Sequence, residues 1–311
     1  MATFNNAVRR SAVLILPLAL LLQGCATARV DRHLKQAVIV LEQRNDADSL
    51  AAAAVVLHFT QPDPEAVHAL LIRAVTVTPE RADLAWLEIQ FCREAPPCDP
   101  DPEEARLRTL DPSNGATLMN AVDRASASHD ETASLAVLSV LARTQRVDLY
   151  YTTLIVHLTR ALADTHKISL TEALVSVIGV LAAEAIPSYA ATAKLCKGDR
   201  LDTAAIAEDC RAVALAFERG DTDLTEMIGV AIAKRVWPMD SPEWQGATEA
   251  RRGYEYRSRL LLQSAVSSVN DPRWAEKYLA LCAQNRREED VERAELIAEG
   301  KSPDPPPGWV P

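Results

Sequence analysis

The chain has 311 residues and a formal net charge of −10. That acidity excludes a surface built to wrap nucleic acid, because phosphate contacts need clustered Lys and Arg. Only 10 glycines, 5% aromatics and abundant alanine argue for helices over strands, alanine being about 1 kcal/mol better than glycine inside a helix.

The first element is a leader. Arg9 and Arg10 precede an apolar stretch from Ala12 to Leu22, interrupted by Pro17. It is shorter than the roughly 20 apolar residues that a spanning helix needs. A basic patch, a short apolar core and small residues before a break make a secretory signal. At its end, Leu22-Gln23-Gly24-Cys25 resembles the lipobox of bacterial lipoproteins. The resemblance implies cleavage before Cys25, a diacylglyceryl group on its thiol and a palmitate-like chain on its new amino group. Residues 1–24 are then a signal peptide, and 25–45 are a tether and first helix. The partner of acylated Cys25 is the lipid bilayer, and two acyl chains already suffice for stable attachment. Ala26 stands where an inner-membrane retention signal usually places Asp, so the resemblance favours the outer membrane, facing the periplasm.

Helical spacing then recurs from segment to segment over residues 46–300. "DADSLAAAAVVLHF" begins near Asp46. "DPEAVHALLIRAVTV" has Asp63 as N-cap and Pro64 at the first helical position, where its missing N–H costs nothing. "RADLAWLEIQFC", "DPEEARLRTL", "GATLMNAVDRASAS", "DETASLAVLSVLART" and "VDLYYTTLIVHLTRALA" follow. "SLTEALVSVIGVLAAEAI" opens with a capping box, Ser169 to Glu172. "DTAAIAEDCRAVALAF", "DLTEMIGVAIAKRV", the long "SPEWQGATEARRGYEYRSRLLLQSA" and "DPRWAEKYLALCAQNRREEDVERAELIAE" complete the series. Residues 301–311 form a Pro-rich extended tail, and the tail with the acidic last helix is expected to cap the end of the helical body.

The expectation is an all-α protein of antiparallel helical hairpins, either a solenoid or an irregular bundle. Pro79 and Pro112 align at an offset of 33 residues, and Leu110-Asp111-Pro112-Ser113-Asn114 resembles the junction between tetratricopeptide repeats. Trp86 lies near that family's aromatic position. His129-Asp130 replaces the family's Gly-Asp pair, so residues 46–145 are repeat-like and 146–300 irregular.

Five cysteines follow Cys25. Export places them in an oxidising space, where disulfides persist. Cys92 and Cys98 flank a proline turn; Cys196 and Cys210 flank a turn in which Gly198 ends one helix and Asp202 starts the next. Both spacings allow a bridge. Cys282 is left over as a buried small apolar residue. Neither spacing is CxxC and no histidine adjoins either pair in sequence, so neither metal nor cofactor is expected.

No catalytic residue emerges. The histidines form no HExxH, no Gly-x-Ser-x-Gly occurs, and Glu295 stands where the first glycine of a phosphate loop ending at Gly300-Lys301-Ser302 belongs. Glu103/Glu104 and Glu288/Glu289 read as solvated helix faces. One cluster stands out: Arg252, Tyr256 and Arg259 share a helix face and combine residue types typical of interface anchors. Packing of the tyrosines with arginines paired to local acids is the plainer reading of the same residues. The functional expectation is a membrane-anchored periplasmic lipoprotein that serves as a protein-binding scaffold or envelope assembly factor. The alternatives are an enzyme acting on cell-wall glycan and a structural spacer.

Overall fold

The structure is a computed structural model and describes residues 32–61, 63–92, 98–184 and 189–310, without the side chains of 184 and 265–269. The lipobox and Cys25 lie outside the described residues. The described residues form α1 (32–42), α2 (Ala47–Thr60), α3 (Pro64–Val77), α4 (Ala82–Cys92), α5 (Asp101–Leu110), α6 (Ala116–Ala127) and α7 (Glu131–Leu141). There follow α8 (Tyr151–Ala163), α9 (Leu170–Glu184), α10 (Ala190–Leu195), a 3-10 turn (Gly198–Asp202), α11 (Ala204–Glu218) and α12 (Asp223–Val236). The last are α13 (Pro242–Asn270), α14 (Trp274–Gln284) and α15 (Glu288–Ala298). Among the described residues there is no strand, and no helix is long and apolar enough to cross a membrane.

Side chains start these helices as their sequences require. The Asp46 carboxylate accepts from Ser49 N–H at 2.8 Å, and that of Asp63 accepts from Ala66 N–H at 3.1 Å. Ser169 N–H donates to Glu172 Oε2 at 2.9 Å while Glu172 N–H donates to Ser169 Oγ at 3.2 Å, a reciprocal capping box. The helix carrying Cys210 starts two residues after Asp202, because Asp202 closes the 3-10 turn.

Neighbouring helices pair in sequence, α2 with α3, α3 with α4, α6 with α7, α8 with α9 and α11 with α12. In a one-dimensional stack each hairpin would touch only its neighbours. Here α2 also packs on α8 and α9, α7 on α11 and α8 on α14, so the chain closes into an irregular bundle. The alanine run makes this possible: Ala51 to Ala54 are fully buried, and their small side chains let several helices surround α2 closely. Helix α4 is buried along Asp83–Cys92, with Trp86 wholly enclosed.

The repeat-like junction has a different task from stacking the next hairpin. Asp111 pairs with Arg146 at 2.8 Å. The Asn114 side chain serves two backbones: its amide donates to Asp148 C=O at 2.9 Å, and its oxygen accepts from Asp148 N–H at 2.9 Å and Ala116 N–H at 3.0 Å. From the other side, buried Asp221 accepts from Leu149 N–H at 2.7 Å and Tyr151 N–H at 2.9 Å. The connection into α8 is thereby held between two side chains, with Tyr150 in the left-handed region at φ 58°. Gly220 permits the approach: a Cβ there would lie 2.7 Å from Val147 C=O.

Cys92–Cys98 and Cys196–Cys210 are both disulfide-bonded, with Cα separations of 5.4 and 5.5 Å. Cys282 is free and buried, and burial pushes its thiol up to about 12.

Two stability outcomes follow. Asp221→Ala leaves two buried N–H groups without an acceptor and costs about 3 kcal/mol, whereas Asp221→Asn, which keeps one acceptor oxygen, costs less; urea unfolding measures both. Cys196→Ala/Cys210→Ala opens a loop of 14 residues and costs about 3 kcal/mol in the same assay, with the helical circular dichroism retained.

Candidate functional site

A cavity of about 790 Å³ opens between α8, α9, α12, α13 and α15. Its walls are apolar, with Leu149, Leu154, Leu181, Met227 and Leu261 among them. At the rim, Leu224 and Leu262 remain 43% and 77% exposed, so apolar surface continues outward from the opening. A volume in this range with a few convergent polar groups is what ligand sites present.

The polar groups are carboxyls from the start of α12 and the first turns of α15. Asp223, Glu288 and Glu292 line one side of the cavity. Glu288 Oε2 accepts from Asp223 N–H at 2.9 Å, capping α12 from a distance beside Thr222, which caps it locally. Arg257 on α13, only 2% exposed, pairs with Glu289 at 3.2 Å and Glu292 at 3.1 Å. Arg287 pairs with Glu226 at 2.8 Å. The Asp223 and Glu292 carboxyls act on each other's charge, and Asp223 Oδ1 has no partner.

Acids therefore outnumber their cations at this wall, and burial sets their titration. Burial and the charge of Glu289 push Glu226 up to about 7. Burial, reinforced by the Glu292 carboxyl, raises Asp223, and burial with the charge of Asp223 raises Glu288. Burial also raises Glu292. Burial thus favours the neutral form of these carboxyls, and a cation placed beside them would favour the charged form.

The sequence-derived interface residues lie one face away. The Tyr256 ring meets Trp309 edge-on at 5.2 Å, and an Arg252 N–H donates to Trp309 C=O at 3.4 Å. Arg252 also pairs with Glu249 at 2.9 Å, while Arg259 is exposed. The face that held the interface expectation therefore seats this chain's own tail, which Arg293 ties down again through Asp304 at 2.9 Å. The cavity uses Arg251, Tyr254, Ser258 and Leu261 of the same helix, a stripe at helical spacing beside the expected one. The solvated-face reading of Glu288/Glu289 and Glu103/Glu104 is corrected by packing. Glu288 and Glu289 are drawn in by Asp223 N–H and Arg257, and Glu104, 1% exposed, is held by Arg124 at 2.7 Å.

The Cys92–Cys98 pair gains a neighbour that spacing hides. His68 Nε2 lies 3.1 Å from Cys98 Sγ and 2.7 Å from Glu88 Oε1. Separations of 30 and 20 residues give no local pattern, and only the pairing of α3 with α4 brings these groups together.

The raised carboxyls fix a pH dependence. An acid whose folded pKa lies above its unfolded value contributes stability below the unfolded value and loses it as pH rises through the folded one. Glu226, Asp223, Glu288 and Glu292 all have this sign, so the stability they contribute falls between pH 3.8 and about 8. Thermal melts at fixed ionic strength should show a midpoint lower by on the order of 5 °C at the upper end, and Glu226→Gln should flatten the slope. The chain matches no protein-family model, and comparison with curated proteins and with solved structures finds nothing similar.

Proposed function

We propose that this protein is an acylated lipoprotein of the bacterial envelope, anchored through Cys25 in the periplasm-facing leaflet of the outer membrane, whose helical body is a protein-binding module. The bound element is an apolar segment of a partner that carries a basic residue. The observation carrying the binding role is the cavity of about 790 Å³ with leucine walls and the Asp223/Glu288/Glu292 side. Apolar rim residues suit a polypeptide that continues beyond the cavity, and the excess of acids suits Lys or Arg inside it. The anchor rests on Leu22-Gln23-Gly24-Cys25 following a short apolar core.

The reading as a glycan-cleaving enzyme starts from the same carboxyls and fits them less well. Glycoside hydrolysis needs two carboxyls roughly 5 Å or more apart, on either side of the bond. Asp223 and Glu292 are within hydrogen-bonding reach of each other, and Glu288 is engaged with the α12 N-terminus. A binding role asks only that the acids lie near the apolar walls.

Two measurements test the proposal. Cys25→Ser should move the protein from the membrane to the soluble fraction of the native host and abolish incorporation of a labelled palmitate; retention at the membrane without label contradicts the anchor. For the module, leucine-rich helical peptides differing only in Lys or Glu at one position should differ at least tenfold in affinity for the purified chain, Lys being preferred. Ala182→Trp, at an exposed position of the cavity wall, should weaken the Lys peptide by a similar factor. Equal binding of both peptides, or binding indifferent to Ala182→Trp, contradicts the module.

A further inference from the structure

Four metal-capable groups meet at the α3/α4 pair, outside the cavity. Glu88 and Cys92 lie four residues apart on α4 and so share one face a turn apart. His68 comes from α3, and Cys98 returns to the site beyond the end of α4. The ligand atoms of His68, Glu88, Cys92 and Cys98 all lie within 4.8 Å of one another.

The hydrogen bonding at this cluster is incomplete. His68 Nε2 carries at most one hydrogen, yet Glu88 Oε1 approaches it at 2.7 Å and Cys98 Sγ at 3.1 Å. A disulfide sulfur has no proton to offer in return. The second carboxylate oxygen, Glu88 Oε2, is buried with no partner, on a residue only 4% exposed. Both contacts fall on the same ring nitrogen, so the three residues do not form a relay in which a carboxylate orients one nitrogen and the thiol uses the other. Electron-pair donors converging with too few hydrogens among them are the arrangement a cation completes.

We propose that His68, Glu88, Cys92 and Cys98 form a zinc site that opens only when the Cys92–Cys98 disulfide is reduced. Two sulfurs, one imidazole nitrogen and one carboxylate oxygen make a closed four-donor set of the kind tetrahedral zinc takes. Reduction needs two electrons from a dithiol reductant. The reductant's thiols become a disulfide, the protein S–S bond breaks, and the two protons pass to Cys92 and Cys98. Zinc binding then releases those two protons to solvent and forms two Zn–S bonds, with the His68 nitrogen and Glu88 oxygen as the remaining ligands. Oxidised, the pair is a structural staple; reduced, it joins His68 and Glu88 around a metal. This site is independent of the membrane anchor and of the cavity.

The test uses the full chain in detergent micelles, oxidised or reduced by a phosphine, and zinc alone as the probe. Competition with a chromophoric chelator should give one zinc per reduced chain and at least a hundredfold weaker binding to the oxidised chain. His68→Ala should weaken binding to the reduced chain at least tenfold, since even residues behind the ligands cost that much. Cys196→Ala/Cys210→Ala should leave the stoichiometry at one, which assigns the metal to the first pair. Where reduction lowers the helical circular dichroism, zinc should restore it in the native sequence and fail to do so in His68→Ala. No zinc uptake by the reduced chain, equal uptake by the oxidised chain, or uptake unchanged by His68→Ala would overturn the proposal.

Discussion

Asp221 is the contact on which the arrangement turns. Its carboxyl is fully enclosed and accepts from two backbone groups two residues apart, Leu149 N–H and Tyr151 N–H. Its own carbonyl accepts from Glu288 N–H at 2.8 Å, at the start of α15. One residue thus ties the connection into α8 to the start of α15, immediately before Thr222 caps α12. Asn114 closes the other side, so the first hairpins are joined to the second half through hydrogen bonds that have no substitute in water-free surroundings. Burial and the nearby Asp148 carboxyl raise Asp221, whose two N–H contacts act in the opposite sense.

The cavity is a consequence of that joint. Glu288 N–H donates to Asp221 C=O and the Glu288 carboxylate accepts from Asp223 N–H, so the first turns of α12 and α15 converge, and the acids those turns carry meet under α13. Arg257 reaches into the convergence and pairs with Glu289 and Glu292, leaving Asp223 and Glu288 against the apolar wall. A bundle selected for stability alone has little use for acids raised toward neutrality at the edge of an empty apolar space, because their charged forms weaken it. A site that accepts a cation with an apolar body has use for both features.

Local physics made much of the fold legible. Asp46, Asp63 and the Ser169/Glu172 box start helices through short-range hydrogen bonds, and such bonds are written in adjacent residues. The cysteine pairs were readable because each bridges a turn between consecutive segments. The Arg252/Tyr256/Arg259 face was visible as a stripe, but a stripe does not say what covers it, and Trp309 lies 53 residues beyond Tyr256. The cavity and the His68 cluster depend on contacts between residues far apart in sequence. Glu288 and Glu289 look like solvated acids from their neighbours alone; only their meeting with Asp223 N–H and Arg257 changes that. The solenoid expectation rests on the 33-residue offset of Pro79 and Pro112 and on the repeat-like junction Leu110-Asp111-Pro112-Ser113-Asn114. Its long-range partners, Arg146 and Asp148, tie this junction to the connection into α8 and not only to the next hairpin.

The most direct measurement is the proton balance of binding. Calorimetry of the Lys-bearing peptide near pH 6.5, in buffers of different ionisation enthalpy, reads whether protons leave the protein as the peptide enters. If the cation is received by the raised carboxyls of the cavity, binding releases protons, on the order of one per chain, and the observed heat follows the buffer. Binding with no proton exchange, or with uptake, would contradict the account.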